Sequence, residues 1–67
     1  MQLDTFKLNV ILAERGMSKA DLAKICGISR QNISTLFTRG TCWPKTAGKV
    51  AAALGVDVTE IVRENIA

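Results

Sequence analysis

One local device occurs three times along this chain, and it fixes where helices begin. An apolar residue precedes a capping side chain, and a second apolar residue follows five positions after the first: Met17-Ser18 with Leu22, Ile28-Ser29 with Ile33, and Val56-Asp57 with Ile61. The cap oxygen accepts an amide hydrogen that a helix start leaves unpaired, and the apolar pair sets the angle at which the chain enters the helix. Asp21 and Glu60, each three residues after its cap, supply the reciprocal half of a capping box, with Asp21 the weaker of the two. Helices are therefore predicted to start at Ser18, Ser29 and Asp57.

The connection between the second and third helices is only Cys26-Gly27-Ile28, with Gly27 where a left-handed backbone costs least. Ala23 is small, so two short helices can approach closely and cross steeply. A first helix is predicted from Leu3, Phe6, Val10 and Ala13, widened by Leu8, Ile11 and Leu12 and stopped at Gly16. A fourth fits Ala47, Val50, Ala51 and Leu54 and ends at Gly55, with its start at Pro44 or capped by Thr46. Thr38 to Trp43 reads as loop, with Gly40 as its turn residue. No β-type alternation persists, so the expected class is all-α.

Sixty-seven residues make one domain, 1–67, with a thin core. At 48% hydrophobic and 4% aromatic, that core is built from Leu, Ile, Val and Ala. Two cysteines are too few for a disulfide framework, no secretory segment follows Met1, and no apolar run approaches the roughly eighteen residues of a membrane span. A reduced, cytoplasmic protein is the expectation. The net charge is +3 but unevenly placed. Between residues 15 and 49, Arg15, Lys19, Lys24, Arg30, Arg39, Lys45 and Lys49 face Asp21 alone, while both ends are acidic. Such asymmetry is the footprint of a face that binds a polyanion.

The residues Met17-Ser18-Lys19, Asp21-Leu22-Ala23, Gly27-Ile28-Ser29-Arg30-Gln31, Ile33-Ser34, Leu36-Phe37, Gly40, Pro44, Val50-Ala51 and Ala53-Leu54-Gly55-Val56 occur in order and at nearly family spacing. From about Phe6 to Val62 the chain resembles the lambda-repressor and Cro-like helix-turn-helix family, also called XRE-type. The resemblance implies a compact five-helix, all-α DNA-binding domain in which Ser18 to Phe37 form the helix-turn-helix of helices 2 and 3. Carried over by position, Arg30 and Gln31 open the recognition helix and contact base edges, with Thr35 one turn on and Asn32 on a base or a phosphate. Arginine suits guanine O6 and N7, glutamine suits adenine N6 and N7, and threonine suits a thymine methyl. Ser18, Lys19 and Ser29 fall where relatives hold the DNA backbone, as do Thr38, Arg39, Thr41 and Lys45 in or beside the following loop. Lys19 departs from the glutamine common there, and the loop is one residue longer than in many relatives.

The implied partner is double-stranded DNA, read in the major groove by a homodimer on a partly palindromic site with half-sites about one helical turn apart. Repression is the expected sign, in a phage, mobile-element or toxin-antitoxin setting. A protein-interaction module that keeps the fold without specific DNA binding is the rival reading. RNA binding ranks lower, for want of an exposed aromatic platform. Without His, Tyr, a phosphate loop or a base to pair with a cysteine, the chain is not expected to be an enzyme, to hold a metal or cofactor, or to bind a small-molecule ligand. Cys26 is expected in the core, Cys42 as structural or incidental, and Lys24, Lys49 and Arg15 as ordinary surface charges. Trp43 is expected to cap the core, with a subunit contact or a place along the sugar-phosphate backbone as the alternatives.

Overall fold

Ser18 meets its expectation in full, because both halves of the capping box form. In the computed structural model, which describes residues 1–63, the Ser18 hydroxyl accepts from the Asp21 amide at 3.1 Å and the Asp21 carboxylate accepts from the Ser18 amide at 2.9 Å. Ser29 accepts from the Asn32 amide at 3.1 Å. Four α-helices result: α1 (Thr5–Arg15), α2 (Lys19–Cys26), α3 (Arg30–Arg39) and α4 (Pro44–Leu54). Gly27 ends α2 at φ +70°, a conformation that lets the chain reverse within three residues and start α3.

The described residues hold no fifth α-helix. Val58–Glu60 makes a single 3₁₀ turn, in which Asp57 accepts from the Thr59 amide at 3.3 Å rather than completing a box with Glu60. The cause is non-local. Val62 leaves the helical path to bridge Leu3 in antiparallel fashion, and the Arg63 amide donates to the Gln2 carbonyl at 2.9 Å. Residues 1–4 also reach the α3–α4 connection, where Gln2 bridges Thr41 and the Leu3 amide donates to Gly40 at 2.8 Å.

Leu8, Leu12, Leu22, Ala23, Ile33, Leu36, Phe37, Ala47, Val50, Ala51, Leu54 and Ile61 form one apolar cluster with Leu3, and no polar or charged residue among the described ones is buried. Cys26 packs against it half-buried, with its Sγ 3.9 Å from the Lys49 carbonyl, which links α2 to α4. Two expectations fail. Phe6 is 76% exposed and Val10 41% exposed, with Ala13 also at the surface, because α1 turns its other stripe inward: Leu8 and Leu12, one turn apart, with Ile11 half-buried beside them. Trp43 does not cap the core either, being 80% exposed. It is the N-cap residue of α4, with extended backbone, and is not among the side chains packed against the cluster.

Candidate nucleic-acid interface

The first turn of α3 stands free of the core. Arg30 and Gln31 are its first two residues, both exposed, while Ile33, Leu36 and Phe37 on the opposite face are buried and hold the helix down. Asn32, Thr35 and Arg39 continue at helical spacing along one flank. The Thr35 hydroxyl donates to the Gln31 carbonyl at 2.9 Å, so its methyl and its lone pairs are what it presents outward. Thr38 does the same toward Ser34, at 2.9 Å, and this bond keeps Thr38 and Arg39 in the last turn of α3. The expected loop from Thr38 is therefore two residues shorter and starts at Gly40.

An open cleft of 710 Å³ separates this flank of α3 from the start of α4. Asn32, Thr35 and Arg39 line one side, Thr41, Cys42 and Trp43 the end, and Lys45, Thr46 and Lys49 the other side. Arg39, Lys45 and Lys49 are thus gathered around one groove, and no carboxylate among the described residues lines it. A groove of one sign concentrates field lines and attracts the opposite charge. Trp43 offers no side-chain cap and Pro44 has no amide hydrogen, so the first turn of α4 presents free amides beside the same cations.

The remaining expected residues lie outside the cleft. Ser18 and Ser29 spend their hydroxyl oxygens on capping, which leaves the O–H of each as a donor to a phosphate. Lys19 Nζ lies 4.8 Å from the centroid of the Phe37 ring, so its ammonium is held at the α2–α3 junction by the ring face. Sequence reasoning set Lys49 aside as an ordinary surface charge and weighed Thr46 only as a cap for the fourth helix. The available signal was spacing, since Lys45 and Lys49 stand one turn apart on a helix that begins at Pro44.

The two thiols are not primed for chemistry. Burial pushes the Cys42 thiol above its ordinary range, partly offset by the N-terminal amine and the Ala47 amide, and burial raises Cys26 likewise against the pull of Lys49. Among the described residues no group of His, Cys, Asp or Glu is placed to hold a metal ion, and no helix is long and apolar enough to cross a membrane.

This geometry is two short helices meeting at a glycine, the second with a free polar start and a cationic flank. No curated protein and no solved structure matches the chain. The model of one family does match, over residues 7–63, and it is described as the Cro/C1-type HTH DNA-binding domain. That span covers most of the sequence, and the chain belongs to the Cro/C1-type helix-turn-helix DNA-binding family.

Proposed function

We propose that this protein is a sequence-specific regulator of transcription that binds double-stranded DNA as a homodimer and represses by occupying its operator. The observation that carries the reading is the cleft. It sets the outward flank of α3 opposite Lys45 and Lys49 with no acid between them, so a phosphodiester strand fits along it while the start of α3 enters the major groove. Arg30 and Gln31 then meet base edges, each bidentate contact discriminating by about 1–3 kcal/mol. Thr35 offers its methyl to thymine and Asn32 reaches a base or the adjoining phosphate. Ser18, Lys19 and Ser29 hold one flank of the backbone; Thr38, Arg39, Thr41 and Lys45 hold the other, joined by Lys49. Repression needs only occupancy, which is why that sign is assigned, and the cytoplasm is where such a protein meets its operator.

Trp43 belongs to the same face. Its ring stands at the rim of the cleft beside Lys45, where a flat apolar surface lies along deoxyribose.

Selection of bound sites from a random duplex library tests the reading. Paired half-sites about one helical turn apart are expected. Arg30→Ala should relax preference at one base pair per half-site. Lys45→Ala should weaken all sequences alike and lower the slope of log affinity against log salt by about one unit. Equal, weak binding to every duplex would overturn specific recognition and leave the protein-interaction module as the better account.

A further inference from the structure

Phe6, Val10 and Ala13 form an apolar stripe on the face of α1 that points away from the core, with Phe6 76% and Val10 41% exposed. An exposed phenyl ring in so small a domain is a cost in water that a partner removes. The residues beside the stripe identify the partner. On the helical wheel Lys7 and Glu14 fall together along one edge, and Asn9 falls along the other. We propose that this face pairs with the same face of a second copy, the two α1 helices running antiparallel about a two-fold axis at the level of Val10. The proposal deepens the two-copy reading of the operator given above, by naming the surface that joins the copies.

The arrangement follows from symmetry. A two-fold axis perpendicular to antiparallel helices brings the same edge of each together, so residues equally far above and below Val10 become neighbours. At about 1.5 Å per residue, Phe6 comes within about 1.5 Å, along the helix axis, of Ala13 of the second copy, a large ring against a methyl. Lys7 comes equally level with Glu14 of the second copy, and the axis repeats both contacts. Val10 meets Val10, and on the other edge Asn9 meets Asn9, whose amides donate and accept reciprocally. A parallel pairing would instead bring opposite edges together and set Lys7 and Glu14 against the uncharged Asn9 edge, with neither charge matched. The sequence of α1 is thus self-complementary in one direction only.

A single helix face buries less than the roughly 800 Å² per partner of a standard interface, so free dimers are weak, dissociating in the micromolar range or above. Two copies on neighbouring half-sites face one another at an effective concentration near millimolar, which fills the interface on DNA. Phe6 is the aromatic anchor.

Sedimentation of the full chain over a wide concentration range, with and without a two-half-site duplex, tests this. Phe6→Ser should raise the dimer dissociation constant about tenfold or more and abolish cooperative filling of the duplex, with helix content and melting temperature unchanged because the ring is exposed. Lys7→Glu and Glu14→Lys should each weaken pairing alone. An equimolar mixture of these two variants should pair like the unaltered protein, since each then meets its opposite charge twice. An unchanged constant for Phe6→Ser, or a mixture no better than its components, overturns the proposal. So does an unaltered chain that stays monomeric and fills two half-sites independently. If Phe6→Ser lowers the melting temperature of a monomer, the stripe is covered from within the chain and the proposal falls. The two readings separate cleanly: pairing that obeys these rules with no selected operator sinks only the DNA reading, and a cooperative operator indifferent to Phe6 sinks only this one.

Discussion

The carboxylate of Asp21 accepts the Ser18 amide, and that bond, with the Ser18 hydroxyl and then the nearby Lys24, holds its pKa below the ordinary 3.8. A carboxyl whose pKa is lowered in the folded state stabilises the fold above its unfolded pKa, and the contribution is lost as pH falls through and below that value. Denaturation midpoints compared near neutrality and near pH 3 should therefore show the unaltered protein losing stability on acidification, and Asp21→Asn losing less over the same interval. Equal acid sensitivity in the two would show that the α2 start does not depend on this charge. The same residue-scale economy governs the proposed reading face. In the proposed interface, Ser18 and Ser29, whose oxygens are used in capping, offer DNA a donor, whereas the side chains of Arg30 and Gln31, exposed and without a hydrogen-bond partner among the described residues, bring all their donors and acceptors.

At the scale of elements, α4 begins without a side-chain cap although the Trp43 backbone, at φ −69° and ψ 149°, has the conformation a cap requires. Trp43→Ser should supply the missing oxygen and stabilise the domain by about 0.5–1 kcal/mol, measured by chemical denaturation. It should also weaken operator binding, because the ring at the rim of the cleft is gone; undiminished affinity would remove Trp43 from the interface. Helix starts were legible in the sequence because capping is local: Ser18, Ser29 and their apolar pairs act within six residues. What failed was decided at a distance. Helix α1 carries two apolar stripes, and only the packing of the other helices selects Leu8 and Leu12 over Phe6 and Val10. Asp57 carries the same local signals as Ser18, yet the chain is drawn out of the helix by Leu3, far away in sequence. Of the residues around the cleft, Asn32, Thr35, Arg39, Thr41 and Lys45 were expected from family position, while Lys49 needed the start of α4 to be known.

Over the whole molecule, residues 1–4 act as a clasp. The Cys42 amide donates to Met1 at 3.0 Å, Leu3 donates to Gly40 at 2.8 Å, Asp4 donates to Ile61 at 2.8 Å, and Arg63 donates to Gln2 at 2.9 Å. Four bonds thus fasten the α3–α4 connection and the last described residues to one short segment. Native-state hydrogen exchange should show the amides of Leu3, Asp4, Cys42 and Arg63 opening with one common free energy, below that of Ile33 and Phe37 in α3. Different values for the four would mean that the segment frays bond by bond. The wholly apolar interior has a separate consequence. Because no described polar or charged residue is buried, the four side chains proposed to meet bases, Arg30, Gln31, Asn32 and Thr35, lie outside the apolar interior. Replacing Arg30, Gln31, Asn32 and Thr35 together disturbs no interior contact, and exposed substitutions of this kind shift stability by about 0.5 kcal/mol or less each. Under the proposed function, target preference in this scaffold can therefore drift or be rewritten at nearly constant stability, which would make the domain a neutral platform for acquiring new operators.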